Sequence, residues 1–235
     1  MLQALPIYAP TLTLPTVAAL AALWREVAAR PLWAPPHFWR YLGLRRRMHL
    51  RLLAVEQLPV VAPVGKVNDC SSCLDICCVG PAATVLLRLT DIARLIDIGR
   101  TELIVQQRPT FSRAAQQRRP ALRRQLASRS WAKFPVLKQD SMGACAALGR
   151  DGRCGLYPHW PLACARFPYS LHLPDRDIFY SQRCQSFWVH PAGAPQVTAM
   201  AVAAVAAYNA RIQDAILLAY APERLRALGL MAFVA

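Results

Sequence analysis

The residues of this chain best equipped for chemistry are its eight cysteines, and they are clustered. Four lie in the string CSSCLDICC as Cys70, Cys73, Cys77 and Cys78, a C-x2-C-x3-C-C spacing. A C-x2-C pair lets two thiolates reach one ion from a tight turn, with backbone amides left over to bond the sulfurs. Side chains of adjacent residues diverge, so Cys77 and Cys78 share one tetrahedral ion poorly. One is expected to point at the centre, and the other to face a second metal or pack as a small apolar group. A second string, CAALGRDGRCGLYPHWPLACARFP, supplies Cys145, Cys154 and Cys164. Asp151-Gly152 turns the first interval, and Pro158 and Pro161 the second, so all three thiols can be folded back to one point. Cys184 follows an expected hairpin and returns to the same place. Thiolate-rich sites suit zinc or iron, with an iron–sulfur cluster as the alternative. Eight thiols exceed one four-thiolate site. Two centres, or one centre with spare thiols, both fit.

Taken together, these strings resemble the YkgJ family of cysteine-cluster proteins, to which a zinc- or iron-chelating domain is ascribed. The matching features are Cys70, Cys73, Cys77 and Cys78; LTDIARL; Cys145; DGRC ending at Cys154; Tyr157; Pro161; Cys164; Phe167-Pro168; and Cys184. They run from about residue 68 to 186, roughly half the chain. The resemblance implies metal chelation. It also departs from the family pattern. One extra residue stands between Cys73 and Cys77, which leaves open whether Cys77 or Cys78 is the ligand. Trp160 replaces the family's arginine before Pro161, and the arginine that often follows the cysteine directly comes one residue later, at Arg166. A similar cysteine module occurs in flagellin lysine methylases, which implies an enzymatic alternative.

Other chemistry is poorly represented. His159, His172 and His190 are potential ligands, His159 best placed between Cys154 and Cys164, although a lone histidine is more simply a surface or hydrogen-bonded residue. Asp69 and Asp151 read as turn residues. There is no glycine-rich phosphate loop, no Ser-His-Asp set and no carboxylate pair, and no catalytic residue is assigned.

The elements that must position the cysteines can be read from periodicity and punctuation. A helix is expected from Thr13 to Arg30, with Leu20, Leu23, Trp24 and Val27 on one face and Pro31 ending it. A second is expected from His37 to about Leu53, then a loop from Pro59 to Asn68. Thr84–Leu89 reads as a short strand. Thr90 or Asp91 caps a helix stopped by Gly99, and Thr101 restarts helix. Phe134–Leu137 reads as a strand that Pro135 confines to an edge. Tyr169–Ser181 reads as a hairpin turning at Pro174-Asp175. Val197 to about Tyr220 is a long helix with Tyr208, Ile212, Ile216 and Tyr220 as a core stripe, and Pro222 starts a short last one. The expected fold is mainly α with short strands (α+β). An irregular, cysteine-rich, metal-nucleated centre is packed by N- and C-terminal helices. The expected organisation is a helical extension at 1–58, a cysteine-cluster metal-binding domain at 59–190, and C-terminal helices at 191–235.

The chain has 235 residues, is 55% hydrophobic and carries a formal charge of +15, so it can build a core without disulfide staples. Basic n-region and cleavage-site signals are lacking at the N-terminus, and the apolar runs are too short to span a bilayer. The expectation is cytoplasmic, where close-set thiols stay reduced. All but three of the 28 basic residues are arginines, seven of them between Arg108 and Arg129. They could meet nucleic-acid phosphates, but a solvated helix face explains them more simply, so nucleic acid is not favoured as a partner. The leading function is zinc or iron binding in a structural or metal-handling role. The alternatives are an iron–sulfur redox or protein- or peptide-modifying enzyme, and a basic nucleic-acid-binding module stabilised by metal. The cluster predicts that tag-free protein retains metal and that a Cys70→Ser/Cys73→Ser variant loses most of it. Equal metal in the two by plasma emission would sink the expectation.

Overall fold

The computed structural model describes residues 14–48, 50–54, 58, 60–61, 67–68, 78–79, 84–107, 133–167, 169–172, 177–180, 187–188 and 194–234. Cys70, Cys73, Cys77 and Cys184, Asp69, His190 and the arginine-rich stretch from Arg108 to Arg129 lie outside them. The fold is mainly helical with short strands, an α+β arrangement. The elements in chain order are α1 (Pro15–Ala28), α2 (Phe38–Arg47), β1 (Val60–Val61), β2 (Val67–Asn68), α3 (Leu89–Asp97), β3 (Ile104–Gln107), β4 (Phe134–Leu137), α4 (Leu162–Ala165), β5 (Tyr169–His172), β6 (Asp177–Tyr180), β7 (Phe187–Trp188), α5 (Ala194–Tyr220) and α6 (Pro222–Ala227). No described helix is long and apolar enough to cross a membrane.

Helix α3 is central, and three of its neighbours meet it through carboxylates. Helix α1 has no side-chain cap of its own at Leu14; instead the Thr16 and Val17 amides donate to the two Asp97 oxygens at 2.9 and 3.0 Å. This tertiary cap fixes α1 to the end of α3 and satisfies two otherwise orphaned donors. At the other end of α3, the Leu89 amide donates to Asp214 of α5 at 3.3 Å, and Arg88 stands 3.8 Å from the same carboxylate. Leu20, Leu23 and Val27 of α1, Ile92 and Leu95 of α3, Ile212 and Ile216 of α5, and Leu225 and Leu230 close one core. A second, smaller core packs Leu58, Tyr169 and Ile178 against Ala201, Ala204 and Val205. The 27-residue α5 serves both, which its length of about 40 Å allows. Its Ile212 and Ile216 are buried, with Tyr208 and Tyr220 packed at the margin, as the four-residue stripe predicts.

The strands form three small sheets: β1-β6-β5, β2-β7 and β3-β4. The β5–β6 hairpin pairs Tyr169 with Tyr180 and His172 with Asp177; the expected turn at Pro174-Asp175 lies outside the described residues. Strand β4 has the expected bounds, with Pro135 opposite Gln106 of β3.

Several local expectations need correction. Helix α2 ends at Arg47, not near Leu53, because Met48 is extended (φ −156°, ψ 154°). Beyond it the Leu53 amide and carbonyl bond the Asn209 side chain, each at 2.9 Å, so a tertiary partner replaces the helical one. The stretch from Pro59 to Asn68 is not all loop: Val60–Val61 runs parallel to β6 and Val67–Asn68 antiparallel to β7. Thr84–Leu89 makes a single bridge, Leu86 to Val136, rather than a strand, since Leu89 already opens α3. The α3 N-cap is Arg88, whose amide donates to Asp91 at 2.9 Å; Asp91 sits in the first turn and reaches back. Gly99 does end α3, with φ +68°, while the Arg100 amide bonds the Leu95 carbonyl at 2.8 Å. Thr101 restarts only one 3-10 turn before β3, where pairing with β4 overrides local helical preference.

Burial pushes the Asp214 carboxyl up to about 7, aided by Asp91 and opposed by Arg88 and the Leu89 amide. The folded state therefore keeps a proton there that the unfolded chain releases near pH 4. It binds more protons across that window, and stability falls as pH rises from about 4 to 7. Asp214→Asn is expected to flatten this fall by roughly 2 to 4 kcal/mol in urea unfolding at a series of pH values. Burial raises the Asp91 carboxyl as well, which acts in the same sense. Parallel curves for the two proteins would show that Asp214 titrates normally.

Candidate metal centre

Four cysteines lie within the described residues, Cys78, Cys145, Cys154 and Cys164, and three separate chain segments bring them together. Cys78 precedes Val79, which bridges Ala144, and the Cys145 amide donates to the Cys78 carbonyl at 2.7 Å. On its other side Cys145 bridges Gln139. That strand end is folded by Asp140, whose Oδ1 accepts the Met142 and Ala144 amides, each at 2.8 Å. Cys145 is thereby clamped from two directions and is 8% exposed.

Cys154 follows the DGRC turn. Gly152 has φ +75°, a conformation that excludes most side chains, and the Asp151 carboxylate accepts the Arg153 amide at 3.1 Å. Asp151 is exposed and acts as a turn residue. The turn returns the chain so that Cys154 bridges Leu148. Cys164 sits in the single-turn helix α4, just after the backbone leaves Pro161.

One buried ion pair holds α4 in place. Asp91 Oδ1 accepts the Leu162 amide at 2.9 Å, and Asp91 Oδ2 accepts the Arg88 amide at 2.9 Å. Arg94 lies 3.6 Å from the same carboxylate and donates to the Trp160 carbonyl at 2.7 Å. Asp91 is 1% and Arg94 7% exposed, the two buried charged residues among those described. Burial raises the Asp91 pKa; the Arg88 amide, Arg94 and the Leu162 amide pull the other way.

The electrostatics tie the thiols to one another. Burial raises the Cys145 thiol first, with Cys78 and Cys154 adding to it, while the Ala147 N–H donates to the sulfur and pulls the other way. Cys154 is raised by burial and by Cys78, against N–H donors from Leu156 and Tyr157 and the charge of Arg100. Cys164 is raised furthest, by burial first and then by Cys154, Cys78, Cys145 and Asp91. Each of the four thiols thus lies in the field of the other three. They converge without closing: no three His, Cys, Asp or Glu side chains among the described residues are grouped tightly enough to hold an ion. Arg166 borders the cluster. Burial and Arg88 lower its pKa, Cys164 raises it, and it donates to Ser170 Oγ at 3.1 Å.

His159 is half-buried, but the charges acting on Cys154 and Cys164 are those of the other thiols, Arg100 and Asp91. The side chain of His172 lies outside the described residues. The roles of Arg94 and Arg100 carried no sequence signal. The structural role of Asp91 had one, an acid in the first turn of a helix that lacks a Ser or Thr cap. Among the described residues, two open cavities lie away from the thiols, one beside α1 and α6 and one beside α2. The thiol cluster is the better candidate for a metal centre, because neither cavity lining contains a cysteine or histidine. Comparison with protein families, with curated proteins and with solved structures finds no match.

Removing one partner of a buried, hydrogen-bonded ion pair strands the other. Asp91→Ala is therefore expected to lower the unfolding free energy by about 3 kcal/mol. It should also speed alkylation of Cys164 by iodoacetamide, followed by peptide mass spectrometry. A stability loss below about 1 kcal/mol, the scale of an exposed pair, would show that the clamp is dispensable.

Proposed function

We propose that this chain binds zinc or mononuclear iron through its cysteine cluster, in a structural or metal-handling role within a reducing, cytoplasmic compartment. The observation that carries this reading is the convergence of Cys78, Cys145, Cys154 and Cys164 from three segments into one another's field. Cys145 packs in the main core with Cys78 and Cys154 against it, and uncompensated, the grouping raises the Cys145, Cys154 and Cys164 thiols. A cation would reverse its sign, turning mutual repulsion into shared attraction. The donor set fits a thiophilic metal. The amides of Ala147, Leu156 and Tyr157, which donate to sulfur, would stabilise metal-bound thiolates.

The described thiols would have to close further around an ion, with Cys70, Cys73, Cys77 and Cys184 as the remaining donors. The resemblance of the motif set to the YkgJ family supports the same chemistry. Where that family has arginine before Pro161, this chain has Trp160, and Arg94 from α3 brings a guanidinium to the Trp160 carbonyl instead.

Thiols raised by burial are protonated at neutral pH, so metal uptake releases protons and affinity should rise with pH. Titrating metal-free protein with zinc in buffers of different ionisation enthalpy measures that release. It is expected to fall sharply, together with metal content, in a Cys145→Ser/Cys154→Ser variant. Unchanged metal content in that variant would refute the site. Acid-labile sulfide and a broad visible band in anaerobically purified protein would mean an iron–sulfur cluster in place of a single ion.

A further inference from the structure

Three large aromatic side chains stand out of the protein within seven residues: Trp33 is 65%, Phe38 44% and Trp39 76% exposed. The inward side of α2 is already used, since Leu44 is buried and Arg40 donates to the Ala219 carbonyl of α5 at 3.1 Å. At 100° per residue, Phe38, Trp39, Arg45 and Arg46 then share the outward arc, and all four are exposed. Phe38 and Trp39 meet edge to face at 5.4 Å. The loop bearing Trp33 is pinned by Tyr220, whose hydroxyl donates to the Leu32 carbonyl at 3.3 Å and whose ring meets His37 at 5.4 Å. Rings and guanidinium groups therefore stand on a fixed backbone. An open groove of about 540 Å³ continues this face, lined by Tyr41, Arg45, Met48, Leu50 and Arg51. No acidic residue occurs between Glu26 and Glu56.

A helix that lies on a membrane separates its apolar side from its basic side. Here rings and arginines share one outward face, Phe38 and Trp39 at the start of α2 and Arg45 and Arg46 about two turns further on, while Leu44 is spent on the core. Rings and cations set along one face suit a chain that offers both unstacked bases and phosphates. We propose that this face binds single-stranded nucleic acid, with Trp33, Phe38 and Trp39 stacking bases and Arg45, Arg46 and Arg51 meeting phosphates. The site is separate from the thiols and does not depend on the metal reading.

The test is fluorescence anisotropy of the full chain with a labelled oligodeoxythymidylate of about 20 nucleotides, from about 50 to 200 mM salt. Binding should weaken steeply with salt and quench tryptophan emission. Arg45→Glu/Arg46→Glu should lower affinity at least tenfold and flatten the salt slope by about 1.4, the value for two single-strand phosphates. Trp39→Ala should lose about five- to a hundredfold, with an unchanged melting curve. Arg25→Glu/Lys133→Glu makes the same change of net charge at exposed positions elsewhere and should bind within about threefold of wild type. Equal loss in both double variants would reduce the effect to bulk charge and overturn the proposal. So would equal affinity for a duplex of the same length, or binding to phosphatidylserine vesicles but not to the oligonucleotide.

Discussion

A carboxylate taken out of water costs several kcal/mol unless nearly every lone pair finds a donor, and Asp91 meets that condition with groups from two places. The Arg88 amide comes from its own helix start, the Leu162 amide from a segment 71 residues away. Arg94, one turn along, balances the charge and carries the bond onward to the Trp160 carbonyl. The consequence falls on α4. A helix of four residues has no stability of its own. It exists because its first amide is held by α3, and Cys164 takes its position from that. The geometry of the thiol cluster thus rests on an ion pair that contains no sulfur.

The same device recurs. Asp97 receives the first amides of α1, and Asp214 receives the first amide of α3. In each case a distant carboxylate replaces the local Ser, Thr or Asn cap. The chain has only 13 acids against 28 basic residues, and three of those acids are spent on helix starts. The packing is directional as a result: each bond specifies which helix end meets which neighbour, where apolar contact alone would permit sliding. Among the described residues, no ion pair offsets Arg45 and Arg46 on the outer face of α2.

The thiols show the opposite balance. Burial and mutual proximity raise Cys145, Cys154 and Cys164 together, and the amide donors at Cys145 and Cys154 compensate only in part. Groups that disfavour their own ionisation gain most from a cation, because binding removes the repulsion as well as adding attraction. The turns that create this proximity are rigid for local reasons, namely the left-handed Gly152 and the Asp140 and Asp151 side chains bonded to nearby amides.

Much of this was legible in the residue order. The apolar spacing of Leu20, Leu23 and Val27, the four-residue stripe on α5, the Gly99 stop, β4 and the β5–β6 hairpin follow from rules that act over a few residues. The DGRC turn that brings Cys154 back beside Leu148 belongs to the same class. What the order could not carry were choices made between distant segments. The extended Met48 ended α2 early, Asn209 took the Leu53 backbone beyond it, and β6 and β7 turned parts of an expected loop into strands. Asp91 changed from a cap into a clamp. Likewise, an arginine-rich helix looks alike whether its aromatic residues are buried or exposed. Only the packing of Leu44 and Arg40 against α5 decided that Phe38 and Trp39 face outward. Local steric and periodic rules are written into neighbouring residues, whereas the partner of a buried charge or of an unpaired amide is set by which surfaces finally meet.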